Sequence, residues 1–493
     1  MEKPFPRPLL EALATHPDLP AFELAARVVT RGELLMTIAR YAGALRANGL
    51  HQNSEVAIAT GVTPEGFAVQ ISAHVLGCRV VPVGPGLTPD QAARVAGTAD
   101  VLVVDETRAP IADAPKTLRL SELSGEPGSL EPQGRPDDIA VVAYTSGSTA
   151  MPKGVEYTYA AMSAYWAWRT DEWTEDTRRL AERYRRFLLF GTLASAVMRE
   201  HLAFCLLGGG TAVVPETPPV FPRVLEELRI SAVLLTVPRL CRILDALRKK
   251  PADLRRLRSA LVAGSPLPPH RLREAFDLIG DAVHQGYGQT ETGMLTLLTA
   301  DDVAAHPEAI SSVGRPWTGV ELEVRDNSGK RLPEGATGEI WVRTANAFRG
   351  YRGEDAKPLK HAGWVRTQDL GKVDAHGFLH LTGRSRDVVI INAIVHYAGA
   401  IEQALAEDPA VDEAYVVGTP DERTGEAAHA FVVTSNGGTP DLDALRAAVR
   451  EKLGDAAVPS TITVIGSVPV AASGKPDKRA LLSLVDLHRR ATG

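Results

Sequence analysis

The stretch Val141 to Val155, VVAYTSGSTAMPKGV, holds the residue types best suited to an anion. Val141, Val142, Ala143 and Tyr144 form the apolar run of a buried strand. Thr145, Ser146, Gly147, Ser148, Thr149 and Ala150 follow with hydroxyls and small side chains. Pro152 stiffens the exit, and Lys153 and Gly154 close the loop. Such a loop turns several N–H groups and hydroxyls toward one point, as a backbone nest does around phosphate oxygens. Lys153 would add a mobile point charge for the same anion. A lone Ser/Gly loop would read as a polar surface turn; the ordered strand, hydroxyl-rich loop and Pro-Lys-Gly series argues for an anion site. The common nucleotide loop puts Lys after Gly and before a hydroxyl. Here Lys153 precedes Gly154 and Val155 follows, which disfavours an ordinary NTPase core.

Three further stretches carry candidate chemistry. Gln285 to Gly293, QGYGQTETG, follows the strand-like Ala282-Val283-His284. Gly-Tyr-Gly alone is a turn, but Tyr287 offers an aromatic face for a base, Thr290 a hydroxyl for phosphate, and Glu291 a carboxylate for a hard cation. Mg²⁺ usually takes one or two protein carboxylates plus phosphate oxygens. Gly363 to Gly371, GWVRTQDLG, holds Asp369, and Ser473-Gly474-Lys475 lies near the C-terminus. Taken singly, these would be a capped turn with a surface Asp and a solvent-exposed lysine.

Together and in this order, the stretches resemble the adenylate-forming superfamily of acyl-CoA synthetases, peptide-synthetase adenylation domains and firefly luciferase. The resemblance runs from Val141 to Lys475 and is closest to an acyl-CoA synthetase. It implies that Thr145, Ser146, Gly147, Ser148, Thr149 and Lys153 cradle the phosphates of ATP. It implies that Tyr287, with Gly288, stacks on adenine, that Thr290 binds the AMP phosphate, and that Glu291, with Thr149, holds Mg²⁺. Gly264 and Ser265 resemble the adenine and acyl-group segment. Asp369 and Arg384 resemble the ribose ligands, and Arg386 falls at the hinge. Lys475 resembles the catalytic lysine that bridges the carboxylate and the α-phosphate. The implied activity is conversion of a carboxylic acid to acyl-AMP with release of pyrophosphate, then transfer to the thiol of CoA.

The chain departs from the family pattern at several points. Thr149-Ala150 stands for Thr-Gly, Gln368 for the Gly of Thr-Gly-Asp, and Arg386 for an Asp or Lys. Asn392-Ala393 replaces the Gly-Gly common in CoA ligases, and Ala398-Gly399-Ala400 replaces Pro-x-Glu. The acceptor therefore stays open between CoA, a carrier-protein phosphopantetheine and an amine, and a nucleotide-binding relative without activity is the non-enzyme alternative. Phe190-Gly191 lacks the Asp that holds an α-ammonium, which argues against an α-amino acid. Arg199 and Glu200 are expected to face solvent or the other domain, with presentation of charge to an ω-polar acid as the second reading.

The elements that must position these residues are those of an α/β protein with largely buried sheets. Short apolar runs such as Glu55–Ala59, Val101–Val104, Ala232–Thr236 and Ala260–Ala263 alternate with helical patterns such as Arg31–Asn48 and Arg239–Leu247. After about Gly314 short strands with turns suggest a β-rich subdomain. The expected division is a large N-terminal adenylating domain at 1–383, of stacked α/β sheets with the β-rich part at about 315–383, and a small mobile α+β domain at 384–493. The Arg-rich patch Arg178–Arg186 is expected to be a solvated helix face.

A chain of 493 residues, 44% hydrophobic and 23% charged, is ordinary for a soluble globular protein. The net charge of −6 gives no electrostatic case for nucleic acid. Cys78, Cys205 and Cys241 show no C-x-x-C spacing, so neither a disulfide framework nor a zinc site is expected. No run approaches the length of a membrane span, and the N-terminal residues lack a signal-peptide core, so the expected location is cytoplasmic.

Overall fold

The computed structural model describes residues 3–492 apart from 107–110, 112–115, 146–152, 266, 355–358, 386, 393, 422, 435–437 and 471–475, and excludes the side chains of 145, 395 and 486–492. Among the described residues the strands form four sheets. The first has nine strands, parallel through its centre: Pro20–Leu24, Thr211–Val213, Arg186–Leu188, Ala232–Thr236, Ser259–Ala263 and Val283–Gln289 lie side by side. The second has seven strands, in which Ile139–Thr145 lies parallel to Arg79–Pro82 and antiparallel to Lys153–Thr158.

The sequence runs fit this arrangement. Strand Ile139–Thr145 is apolar on both sides because both of its faces are covered. Val141 and Ala143 enter the main core, whereas Ile139 and Val142 pack with Ala57, Val81 and Leu102 behind the sheet. The main core lies between the two large sheets and is filled by helices Arg31–Ala47 and Pro64–Val75. Thr30 caps the first of these in a capping box with Glu33.

The expected β-rich part is a five-stranded antiparallel sheet built from Glu321–Arg325, Gly338–Arg343, Lys360–His361, Trp364–Val373 and Leu379–Arg384. The fourth sheet uses Val388–Ile391, Ile394–Tyr397, Val411–Asp421, Gly425–Thr434 and Thr461–Ile465, with its own apolar core against helices Ala398–Ala406 and Leu442–Leu453. A buried ion pair ties it to the large sheets: Arg271 donates from Nε to Asp412 Oδ1 at 2.6 Å, and also pairs with Glu274 and Asp245.

Candidate active site

Gly264, Ser265, Tyr287 and Gly288 lie at the carboxyl ends of parallel strands, where open α/β sheets bind ligands, whereas Asp369 and Arg384 come from the antiparallel sheet. Gly264 and Ser265 follow strand Ser259–Ala263, and Gly264 takes φ +103°, a conformation glycine adopts without strain. Gly-Tyr-Gly is not a turn: strand Val283–Gln289 runs through it, pairs in parallel with Ser259–Ala263, and turns at Thr290–Thr292 into the antiparallel strand Gly293–Leu298. Gly288 is needed there, because a Cβ would stand 2.3 Å from the Gly293 carbonyl oxygen.

Tyr287 and Asp369, 82 residues apart in sequence, meet directly. The Tyr287 hydroxyl donates to Asp369 Oδ2 at 2.6 Å. Gln289 Nε2 donates to the same oxygen at 2.6 Å and to the Thr367 carbonyl at 2.9 Å. Arg384 Nε reaches Asp369 Oδ1 at 3.0 Å. That last pair follows from register, since Asp369 and Arg384 sit opposite each other on Trp364–Val373 and Leu379–Arg384. The Asp369 residue is 5% exposed, so its charge depends on these donors. Burial and the adjacent Asp369 charge push the Tyr287 hydroxyl well above its ordinary pKa. Gln368, where the family has Gly, takes φ +61°. A side chain in that region costs roughly 1–2 kcal/mol, which explains the family's glycine.

Lys153 and Glu291 are joined through a residue the motifs did not reveal. Lys153 and Gly154 start strand Lys153–Thr158 rather than lying in the loop, and Thr145 pairs with Lys153 across the hairpin. Glycine is required at 154 because a Cβ would lie 2.9 Å from Val142 Cγ1. Lys153 Nζ sits 4.8 Å over the Tyr351 ring and donates to Glu354 Oε2 at 2.8 Å. The Tyr351 hydroxyl donates to Glu291 Oε1 at 2.8 Å, and Phe348 N–H bonds the Glu291 carbonyl. Segment 348–354 is therefore a strap that joins the loop exit to the Glu291 turn. Gly350–Tyr351 pairs with Lys153–Thr158, a long-range contact without a local pattern. Gln289 was inside the quoted motif, and its acceptor became visible only across the sheets.

Thr290 and Glu291 are half-buried at the turn. A half-buried carboxylate with one oxygen held by Tyr351 suits a hard cation that takes few protein ligands. Ser146, Gly147, Ser148, Thr149, Arg386 and Lys475 lie outside the described residues, as does the Thr145 side chain.

Glu200 departs from expectation. It is buried in helix Ala196–Leu207 rather than turned to solvent, because that helix enters the main core, where its own Phe204 packs edge to face on Trp166. Burial pushes its carboxyl up to about 8. Arg199 turns instead to the carbonyls of Leu193 and Ala194, at 2.8 and 3.1 Å. The Arg-rich patch is only partly a helix face. Helix Glu175–Arg183 ends before Arg185 and Arg186, which line a surface cleft of about 330 Å³ with Arg229, Arg256 and Arg258. That cleft lies at the amino ends of the parallel strands, away from Tyr287 and Asp369.

Comparison with known proteins decides the family. The family model described as AMP-binding enzyme matches residues 9–352, and that of the AMP-binding enzyme C-terminal domain matches 400–475. The chain belongs to the AMP-binding enzyme family. This AMP-binding enzyme is 30% identical to a feruloyl-CoA synthase of an Amycolatopsis species, over 93% of this chain and 94% of the relative. It is 29% identical to the medium/long-chain fatty acid–CoA ligase FadD8 of Mycobacterium tuberculosis, over 96% and 88%. The solved amide bond synthetase McbA from Marinactinospora thermotolerans superposes with a TM-score of 0.82 at 30% identity, over 97% of this chain and 99% of that one. The mixed α/β architecture expected from the sequence is therefore that of adenylate-forming enzymes. Among the described residues no helix is long and apolar enough to cross a membrane.

Proposed function

We propose that the protein is an AMP-forming acid–thiol ligase. A carboxylate is a poor acyl donor, because its leaving group would be oxide. One carboxylate oxygen attacks the α-phosphorus of ATP, the bond to the bridging oxygen breaks, and pyrophosphate leaves. The CoA thiolate then attacks the acyl carbon, and AMP leaves. The observation that carries this reading is the meeting of Tyr287, Asp369 and Arg384 beside the Lys153–Tyr351–Glu291 link, since these groups come from separate stretches and suit one nucleotide.

In this reading Asp369 and Arg384 hold the ribose, Tyr287 and Gly288 face the base together with Gly264 and Ser265, and Thr290 binds the α-phosphate. The 145–153 loop and Lys153 hold the outer phosphates, and Lys475 steadies the attacking oxygen. Mg²⁺, when bound at Glu291 and Thr149, would neutralise phosphate charge. Catalysis is then positioning plus preorganised charge, with no covalent protein intermediate. The proposal includes a large part at 1–383 and a small part at 384–493 that turns about Arg386 between the half-reactions, and a cytoplasmic location where ATP and CoA are supplied.

A second reading, amide formation or loading of a carrier protein, is favoured by one observation. Asn392, where CoA ligases carry glycine, takes φ +53°, so this chain carries a side chain at a left-handed position there. The likeness to an amide bond synthetase agrees with it. Acid-dependent exchange of labelled pyrophosphate into ATP, across a panel of carboxylic acids, tests activation; absence of exchange with every acid refutes it. AMP release that depends on CoA, against release that depends on an amine or a carrier protein, separates the two acceptors.

A further inference from the structure

One cluster of ligating side chains stands apart from the nucleotide-facing residues. His306, Glu308 and His376 each offer a nitrogen or an oxygen, and these atoms all lie within 4.8 Å of one another. Among the described residues no other group of three His, Cys, Asp or Glu side chains brings its ligand atoms so close. His306 Nδ1 stands 3.6 Å from Glu308 Oε1, and His376 Nε2 stands 3.8 Å from the same oxygen. The two imidazole centroids are 4.3 Å apart, with their planes inclined at 38°. Both nitrogen–oxygen separations exceed a hydrogen bond. The three side chains therefore converge without bonding to one another.

The backbone fixes this convergence. His306 and Glu308 flank Pro307 at the start of the short turn Pro307–Ser311, whose Ala309 and Ile310 are buried. His376 sits in the tight turn between strands Trp364–Val373 and Leu379–Arg384. Asp374 Oδ1 accepts there from the N–H groups of His376 and Phe378, each at 3.0 Å. Phe378 is buried in the same apolar core as Ala309 and Ile310. Val313 N–H donates to the Leu379 carbonyl at 2.8 Å, and Leu379 N–H donates to the Gly314 carbonyl at 2.9 Å. Both halves of the cluster are thus anchored to one core. The nearby charges are already matched: Arg315 pairs with Asp302 at 3.0 Å, and His380 Nε2 stands 2.7 Å from Asp374 Oδ2. Among the described ion pairs Glu308 meets only the two imidazoles.

We propose that His306, Glu308 and His376 form a binding site for a divalent transition-metal ion of the zinc class, with a fourth position open to water. Two imidazoles and one carboxylate are a donor set for zinc and its neighbours, whereas Mg²⁺ takes oxygen ligands. Ligand atoms about 2.0–2.2 Å from a tetrahedral zinc stand roughly 3.4 Å from each other. The separations of 3.6 and 3.8 Å are close to that, so small rotations of these partly exposed side chains complete the site. The bound ion fastens the tip of the hairpin whose strands carry Asp369 and Arg384 to the segment that follows strand Gly293–Leu298. It shares no residue with the Mg²⁺ site assigned to Glu291, and its role is structural.

The test is calorimetric titration of Zn²⁺ into the whole chain, with Mg²⁺ in excess so that Glu291 is occupied. The expected result is one ion bound per chain. His376→Ala should weaken that binding by at least roughly 10- to 100-fold, since losing even an outer partner of a ligand costs that much. Glu308→Gln, which keeps the shape and removes the charge, should weaken it too, and serves alone if the alanine variant fails to fold. The melting temperature of the unaltered protein should rise as Zn²⁺ is added, because an ion that binds only the folded state stabilises it by mass action. That rise should vanish in the variants. Co²⁺ in place of Zn²⁺ should give the visible absorption of a four-coordinate site in the unaltered protein alone. Binding of equal strength in the variants would put the ion on other residues and overturn the proposal. So would absence of Zn²⁺ binding by the unaltered chain, or a melting temperature that does not respond to the ion.

Discussion

Asp369→Asn is the substitution whose effect the geometry constrains most closely. A carboxylate offers about four acceptor positions. Three are taken: two on Oδ2 by Tyr287 and Gln289, and one on Oδ1 by Arg384. One remains, so Asp369 can accept from one ribose hydroxyl without displacing a protein donor. In the variant, the amide oxygen would keep Tyr287 and Gln289, and its NH₂ would face Arg384 and the ribose, donor against donor. The Arg384 side chain is 66% exposed and can turn to water. The main loss is then one charge-assisted hydrogen bond to the nucleotide, worth about 1.5–3 kcal/mol. That corresponds to a rise of roughly 10- to 150-fold in KM for ATP. The ribose is remote from the reacting phosphorus, so the bond is equally good in ground and transition states and kcat should hold. Pyrophosphate exchange at varied ATP concentration measures both constants, with a thermal melt as the control for folding. A folded variant whose KM stays within about threefold, or one that loses kcat at unchanged KM, would refute the reasoning.

Three other outcomes follow from the same contacts. Tyr351→Phe removes the hydroxyl that orients Glu291, and should raise the Mg²⁺ concentration needed for half-maximal exchange by roughly 5- to 30-fold, from one hydrogen bond of about 1–2 kcal/mol; an unchanged Mg²⁺ requirement would separate Tyr351 from the cation site. Glu354→Ala frees Lys153 from a partly exposed ion pair. Such pairs are worth about 0.2–1 kcal/mol, so KM for ATP should fall by up to about fivefold, and a rise would mean that Glu354 helps rather than competes. Finally, burial lowers the pKa of His74 and His201 to about 3 and that of His284 to about 4. They stay neutral in the fold, whereas the unfolded chain protonates them below about pH 6.5. Stability from this source is therefore intact above pH 6.5 and declines as pH falls toward 4, by about 2 kcal/mol for each histidine at pH 5. A urea midpoint that does not move between pH 7 and pH 5 would contradict this.

Much of the site was legible because its groups belong to local motifs. Tyr287, Thr290 and Glu291 lie within five residues, and the apolar run before Thr145 announces a doubly covered strand. Gln368 and Asn392 stood out as departures from family glycines, and their positive φ angles give the backbone reason. Tyr351 and Glu354 carried no such signal, and Gln289, though inside the motif, gave no sign of its acceptor. Their partners lie in sheets formed by residues tens to hundreds of positions away, and no spacing rule reports a contact made by register between strands.

Glu200 shows the same boundary from the other side. Sequence alone determined the α/β alternation, the order of the nucleotide-facing motifs and the family resemblance, since periodicity and motif chemistry are properties of neighbouring residues. It could not determine which face of helix Ala196–Leu207 meets the core, because that helix is apolar on most sides and a lone Glu–Arg pair can point either way. Only the packing of the helix into the core, with its Phe204 against Trp166, drew the carboxyl inward and left the guanidinium on the backbone carbonyls. Burial depends on what lies opposite in space, and so the tertiary structure alone turned an apparent surface charge into a buried carboxyl.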